Sequence, residues 1–439
     1  MTSDGDLALR NELSGLLEMA ARAEQGLLCR YLYAAFSFKR THDEGGVTYE
    51  QLEYMRRWEA AILTVARQEM EHLGLVFNLR TALGEAPTFE MPSFPFAELV
   101  GDKTIDNSLR KFDERSLIDF ALAEMPSQLP VTSPNYKFLK ERMKGFAPGG
   151  VDALSDIYNR IRTLFETLPE EVLFLGPPAA QFTTHDIFPG KIRGLDISKA
   201  PAYNVSLHKV CDRKSALAVI DQIITEGEGA KEEGAPGSHF ATIMSILIKL
   251  VELQAQDPTF VPARPVMSNP SGALQAPDDQ KVTYPFSNAA LGLFEMSYET
   301  MLLGLTRFFA FPQNDKSEMA ALQQAVFFPM MTTIIRPLGE VLTMLPADAG
   351  GSTDKRAGAS FRAPEAFTLT PHKSAAFNVL YLRYGEMEDT ASALLEQVPS
   401  LPDTLPKDVI TERLTFLYQQ IYRSRSNLKV NYEKLPDDI

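Results

Sequence analysis

The chain has 439 residues, with 43 basic and 57 acidic side chains and a formal net charge of −14. An acidic protein of this size repels phosphate backbones, so we expect no nucleic-acid partner. Its two cysteines, Cys29 and Cys211, provide neither a disulfide framework nor a CxxC metal pair. No apolar run reaches the ~18–20 residues of a membrane span, and the amino terminus lacks the features of a signal peptide. We therefore expect a soluble, cytoplasmic protein with no membrane partner.

The first two predicted helices form a hairpin. Apolar residues recur mostly every three or four positions over residues 7–36, which is the spacing of one helix face. A polar break follows at 41–46, and the same spacing returns over 49–83 until Gly84 ends the pattern. Two long helices joined by a short polar turn are expected to pack antiparallel.

Helical spacing continues along most of the remaining chain, and no segment shows convincing strand alternation. The stretch 170–212 is rich in Gly and Pro and has no assigned structure, so it could contain a short β-hairpin. We predict a mainly α fold: an antiparallel bundle over 1–256 with an irregular insertion at 169–212, and a C-terminal helical region over 285–439 packed on the bundle. The further predicted helices cover 109–124, 151–168, 215–225, 238–253, 288–309, 316–345, 374–397 and 408–428.

Three ionisable residues lie on apolar helix faces in this hairpin. Glu24 lies on the stripe of the first helix, and Glu69 and His72 lie side by side at i and i+3 on the stripe of the second. A buried carboxylate must be paired, protonated or metal-bound. In an antiparallel hairpin, residues at equal distances from the turn lie opposite each other. The sequence midpoint between Glu24 and Glu69 lies between residues 46 and 47, and that between Glu24 and His72 lies at residue 48, in or beside the turn. The three side chains are therefore predicted to converge. Glu71 points elsewhere and is predicted to be solvated.

This arrangement matches half of a dimetal carboxylate bundle, which takes one Glu from each of two helices and Glu-x-x-His from each of the other two. Glu24 and the pair Glu69 and His72 form the first half. For the second half, Glu124 lies on an apolar stripe at the end of its helix. Asp156, on the next helix, is its main competitor.

The remaining ligands do not follow the usual spacing, because residues 215–254 contain no second Glu-x-x-His. The candidates are Glu228, with Glu226 as a substitute, and His239 at the start of a helix. Iron or manganese suits such a set of carboxylates with few imidazoles, whereas structural zinc does not. The other histidines are expected at the surface or in core hydrogen bonds: His42, His185, His208 and His372.

At these residues the sequence resembles the ferritin-like family named for iminophenyl-pyruvate dimer synthase, an enzyme type of bisindole pigment biosynthesis. The block from Glu69 to Gly84 is the most specific part of the resemblance, and the shorter motifs are spread over most of the chain. Those motifs are Glu24 with Tyr31-Leu32-Tyr33-Ala34, Glu124-Met125-Pro126, Gly227-Glu228-Gly229, Ser238-His239-Phe240, Ile335-Arg336-Pro337-Leu338 and Ala357-Gly358.

The resemblance implies a ferritin-like bundle that binds iron, with members that oxidatively couple two imines derived from aromatic amino acids. Two features depart from the family. The pigment enzymes carry a large region ahead of this one, so we expect a stand-alone form without it, and Ala359 stands where the family has proline. A shared fold does not fix the substrate.

We therefore expect an oxidoreductase that uses a non-haem centre, with two iron ions or manganese, against a small organic molecule such as an aromatic imine. The alternatives are a non-catalytic iron-binding protein and a metal-free interaction protein in which these residues form buried ion pairs. A homo-oligomer is possible in each case.

Overall fold

The computed structural model describes residues 4–100, 103–126, 129–144, 153–187, 191–192, 195–196, 205–227, 237–310, 315–362 and 368–432. The fold is mainly α, as predicted. Its helices are α1 Asp4–Phe36, α2 Tyr49–Ala82, α3 Glu114–Ala123, α4 Pro134–Arg142, α5 Ala153–Thr167, α6 Glu170–Leu173, α7 Thr184–Ile187, α8 Arg213–Gly227, α9 His239–Gln256, α10 Pro285–Ala310, α11 Lys316–Leu322, α12 Arg336–Leu342, α13 Lys373–Gln397 and α14 Lys407–Tyr432. Its strands are β1 Phe96–Val100, β2 Lys103–Asn107, β3 Lys191–Ile192 and β4 Leu195–Asp196.

The predicted hairpin is present as α1 and α2, which pack along much of their length. Thr48 ends the connection between them with a capping box, because its hydroxyl accepts from the Gln51 backbone and the Gln51 side chain accepts from the Thr48 backbone. At the other end Gly84 has a φ of +87°, the left-handed conformation that glycine adopts without strain.

The other arms of the bundle consist of shorter helices. Helix α3 packs against α9, whereas α5 packs against α1 and α8. These helices enclose two apolar cores, one containing Leu17 and Leu73 with α5 and α8, the other Leu27 and Val65 with α3 and α9. Glu24 lies between the two cores along α1, and Glu69 and His72 lie between them along α2. A polar layer therefore divides the interior of the bundle.

Three elements differ from the sequence predictions. The third helix begins at Glu114 rather than at 109, because Asp113 and Ser116 form a capping box there. The antiparallel hairpin β1–β2, with Phe96 opposite Asn107, and helix α4 are not predicted by the sequence patterns. The insertion does contain a short hairpin, β3–β4, whose pairing extends over two residues in each strand.

The C-terminal helices pack on the bundle through a shared core. Residues 316–342 form one continuous helix, which widens into π turns at Gln323–Phe327 and Met330–Ile335 on either side of Pro329. Proline cannot donate to the helical hydrogen-bond ladder, which accounts for a local change of winding. Helix α10 packs on α13 and α13 on α14, and their apolar residues join the core that contains Leu17 and Leu73. The division into two regions stays a prediction.

One helix among the described residues, Ser317–Leu342, is long and apolar enough to span a membrane by length and composition. However, 61% of its most apolar window is buried inside the protein. Because it packs against α10 and α14, it behaves as a core helix of a soluble domain.

An ion-pair network joins α12 and α14 to the end of α1 and to α2. Glu340 accepts from Arg40 and Arg336 at 2.9 and 3.0 Å, and also from Arg413 of α14. Arg40 and Arg336 both pair with Glu59 of α2 as well. The motif Ile335–Leu338 of the family resemblance therefore lies at a junction between the C-terminal helices and the bundle.

Glu340→Ala should lower the free energy of unfolding by about 2 kcal/mol. The substitution removes a buried carboxylate and leaves three guanidinium groups without it, and their partial exposure keeps the loss below that of a fully buried pair. Urea denaturation measures the change. The matched control is Glu396→Ala, an exposed glutamate of α13, which should stay within about 0.5 kcal/mol of wild type. Equal stability of the two variants would show that the ion pairs of Glu340 contribute nothing measurable to the free energy of unfolding.

Candidate metal centre

Five ionisable side chains meet in the polar layer of the bundle. They are Glu24 of α1, Glu69 and His72 of α2, Glu124 at the end of α3, and His239 at the start of α9, and none is more than 3% exposed. The sequence predicted all five as candidate ligands, and the structure brings all five together.

The cluster is built as two triads that share Glu69. In the first, Nδ1 of His72 lies 3.5 Å from Oε2 of Glu24 and 3.6 Å from Oε2 of Glu69. In the second, Nδ1 of His239 lies 2.8 Å from Oε1 of Glu69 and 3.5 Å from Oε2 of Glu124. Ligands about 2.0–2.2 Å from one transition-metal ion lie about 3–3.6 Å from one another. Each triad therefore has spacings close to those of a ligand set for a single ion.

Each terminal carboxylate is held on its other oxygen by a buried tyrosine. Tyr31 donates to Oε1 of Glu124 at 2.8 Å, and Tyr158 of α5 donates to Oε1 of Glu24. Both glutamates therefore keep one oxygen, Oε2, for the triad. The sequence analysis did not identify either tyrosine as part of the site, although Tyr31 lies seven residues after Glu24 on the same face.

Several buried polar atoms in the cluster form no hydrogen bond with any described residue. They include Oε2 of Glu24 and Nε2 of His239, while Oε1 of Glu69 and Nδ1 of His239 lie 2.8 Å apart without the alignment of a hydrogen bond. A cavity of about 20 Å³ adjoins Glu24, Glu69, His72 and Glu124, which is enough volume for small ions or water. Ligand atoms of Glu69, His72 and His239 all lie within 4.8 Å of one another. Because buried polar atoms are normally satisfied, this donor set fits a bound cation.

The electrostatics of the cluster also favour positive charge. Burial, followed by the charge of Glu69, raises the pKa of Glu24 from 4.5 to about 8. Burial acts to lower the pKa of His239, but the carboxylates of Glu69 and Glu124 outweigh it and raise that pKa to about 10. The pKa of His72 is likewise raised well above its usual value, against burial, by hydrogen bonds to Glu226, Glu24 and Glu69. Without metal, the cluster therefore holds protons in place of cations.

Two helix ends place the less regular members of the set. Glu124 occupies the C-cap of α3, and Pro126 follows two residues later. Ser238 caps α9 by accepting from the Ala241 backbone, so His239 is the first helical residue. Gly227 lies against this site, because a Cβ atom there would come within 3.2 Å of Oε2 of Glu124.

The competing candidates separate clearly. Asp156 is exposed, while Tyr158 from the same helix points into the cluster, so the structure favours Glu124. Glu228 lies outside the described residues. Glu226 lies beside the cluster, with its Oε2 3.1 Å from Nε2 of His72.

The prediction that Glu71 is solvated is wrong. Helix α8 covers this face of α2, and Gln222 of α8 donates to Oε1 of Glu71 at 2.7 Å. His42, His208 and His372 are exposed, in agreement with their expected surface positions, and the side chain of His185 lies outside the described part of the chain.

The second C-terminal motif, Ala357-Gly358, also has a structural explanation. A Cβ atom at Gly358 would collide with the ring of Tyr33, which is buried on α1 and donates to the Met267 carbonyl. Ala359, in the position where the family has proline, is buried beside it.

Two curated relatives align with most of the chain. The chain is 29% identical over 367 residues to 2-imino-3-(indol-3-yl)propanoate dimerase of Chromobacterium violaceum, covering 78% of this chain and 33% of that protein. It is 27% identical over 440 residues to dichlorochromopyrrolate synthase of Lentzea aerocolonigenes, covering 94% of this chain and 41% of that protein. The chain spans between a third and two-fifths of the length of these two relatives.

The comparisons also include a solved structure and a family model. The crystal structure of a ferritin-like protein from Caulobacter vibrioides is 17% identical, covers 80% of this chain and 97% of its own, and gives a TM-score of 0.42. The family model described as ferritin-like matches residues 17–247, which is more than half of the chain. With all five candidate ligands inside that match, this chain belongs to the ferritin-like family.

Proposed function

We propose that this protein binds two ions of iron, or of manganese, and uses them to oxidise a small organic molecule. The observation that supports the dimetal centre is the position of Glu69, which directs one carboxylate oxygen to the triad of His72 and the other to the triad of His239. A carboxylate shared in this way would bridge two ions.

The side chains around the ions would fix their coordination. Tyr158 and Tyr31 would keep Glu24 and Glu124 to one donor oxygen each, because each tyrosine occupies the other oxygen. The apolar cores on both sides of the layer exclude water from the ligands. When bound, two adjacent redox ions would supply electron transfer between the substrate and O₂ or peroxide.

The proposed substrate class is an imine derived from an aromatic amino acid. Its support comes from the two relatives, one of which is named a dimerase of an indolyl imino acid. This chain aligns with only part of each relative, so the proposal concerns oxidation of the imine and not its dimerisation.

One observation favours the alternative of a non-catalytic metal-binding protein. The cavity of about 20 Å³ admits ions and water, whereas ligand pockets usually measure about 300–1,000 Å³. An aromatic imine would need the surrounding side chains to move, or would react at the edge of the cavity.

Elemental analysis of protein expressed with iron and manganese should find about two metal ions per chain. Glu69→Ala should lose most of that metal, because the substitution removes a ligand from both triads. Glu53→Ala is the control, since Glu53 is an exposed glutamate of the same helix that lies outside the cluster. One ion in wild type would indicate a mononuclear site, and no ion in a folded wild-type protein would refute the centre.

Iron-loaded protein should consume O₂ when an aromatic 2-imino acid is supplied, and Glu69→Ala should reduce that rate at least about tenfold. An oxygen electrode measures the rate, with the imine formed in place from the 2-oxo acid and ammonia, a condensation that consumes no O₂. If the iron is oxidised but the imine is unchanged, the non-catalytic alternative is correct.

Metal affinity should rise with pH between 6 and 9. The pKa of Glu24 is about 8 and that of His239 about 10, so both hold protons near neutral pH without metal. Ligands must lose these protons to bind, and protons therefore compete with metal as the pH falls. Calorimetry in two buffers of different ionisation enthalpy measures the protons released. Affinity that is independent of pH would show that these groups are not ligands.

A further inference from the structure

We propose that Glu226 is a positioning residue that holds the ring of His72 with Nδ1 facing the metal centre. The inference rests on the proposed function and extends it to a residue outside the two triads. Nε2 of His72 lies 3.1 Å from Oε2 of Glu226, while Nδ1 faces Glu24 and Glu69 at 3.5 and 3.6 Å.

The two ring nitrogens therefore have separate partners. A neutral imidazole carries its proton on one nitrogen and a lone pair on the other. With Glu226 accepting from Nε2–H, the lone pair is on Nδ1, directed at the site between Glu24 and Glu69. A carboxylate in this position also fixes the orientation of the ring, and such partners change metal affinity by about 10- to 100-fold.

The same geometry argues against Glu226 as a ligand in the triad of His72. Its carboxylate contacts the nitrogen on the outer side of the ring, whereas Nδ1, Glu24 and Glu69 lie on the inner side. The side chain of Glu226 is 29% exposed, in contrast to the fully buried triads.

Glu226 is itself held in place by α8 and α2. Gln222, one turn earlier on α8, donates its amide both to Oε1 of Glu226 at 3.3 Å and to Oε1 of buried Glu71 at 2.7 Å. Glu71 therefore anchors the amide that orients Glu226, and α8 carries an ordered hydrogen-bonded chain to His72.

The two triads differ in this respect. Nε2 of His239 forms no hydrogen bond with the described residues, so among these residues a carboxylate on the outer side of the ring is found at His72.

The test is a titration of the full-length, metal-free protein with Mn²⁺, with free Mn²⁺ measured by electron paramagnetic resonance. Wild type should bind two ions in two steps. Glu226→Ala should weaken one step by about 10- to 100-fold while the total stays at two. Glu226→Gln should recover most of the loss, because an amide oxygen can still accept from Nε2–H. Asp221→Asn is the matched control, because it removes one negative charge from an exposed carboxylate of the same helix that pairs with Arg162 of α5, and it should stay within about threefold of wild type.

Each other outcome has a defined meaning. If wild type binds two ions and Glu226→Ala binds them equally well, the positioning role is wrong and the dimetal proposal stands. If Ala and Gln variants both bind a single ion, Glu226 is a ligand. If Asp221→Asn is weakened as much as Glu226→Ala, net charge and not ring orientation is responsible. If wild type binds no metal, the proposed function fails first. Circular dichroism of the metal-free variants checks that each is folded.

Discussion

The burial of Glu24, Glu69, His72, Glu124 and His239 in one layer is the constraint on which the rest of this bundle depends. Isolated charges in an apolar interior are costly, and they are tolerated only when neighbours compensate them. Tyr31 and Tyr158 satisfy one oxygen of each terminal carboxylate, and the imidazoles offset part of the negative charge. The remaining acceptors point at one another across a small cavity. A cation in each of the two triads would satisfy them, because Glu69 faces His72 with one oxygen and His239 with the other.

The breaks between the shorter helices of the bundle place two residues of this layer. A dimetal bundle normally takes its second Glu-x-x-His from a continuous helix, but here Pro236 stands three residues before His239. The chain instead supplies Glu124 from the end of α3 and His239 from the start of α9. Gly227, at the end of α8, leaves room for the Glu124 carboxylate. The end of α3 and the start of α9 thus supply together a carboxylate and an imidazole, which the single motif Glu69-x-x-His72 supplies in the hairpin.

This difference explains how much of the site could be predicted from the sequence. The first three ligand candidates, Glu24, Glu69 and His72, lie in uninterrupted helices. There the apolar periodicity shows which helix face each residue occupies, and equal distance from the turn shows which residues lie opposite each other. Asp156 could not be separated from Glu124 in this way, since the rotation of α5 depends on tertiary packing. Glu71 was misjudged for the same reason, because helical spacing does not reveal that α8 covers it. The hairpin β1–β2 was missed because strands of five residues with mixed polarity give little signal.

Helix α1 connects the polar layer to the C-terminal helices. It carries Glu24 in the layer and, nine residues later, Tyr33, whose ring packs against Gly358. Arg40, just beyond the end of α1, enters the ion-pair network around Glu340. Ligand geometry tolerates displacements of only about 0.5 Å in a working site, and a helix anchored near its C-terminal end by Tyr33 and Arg40 resists sliding along its axis. The C-terminal region therefore contributes to the register of Glu24 against Glu69, since it fixes the helix on which Glu24 lies. Tyr33 and Arg40 thus connect the polar layer to segments that lie far from it in the chain.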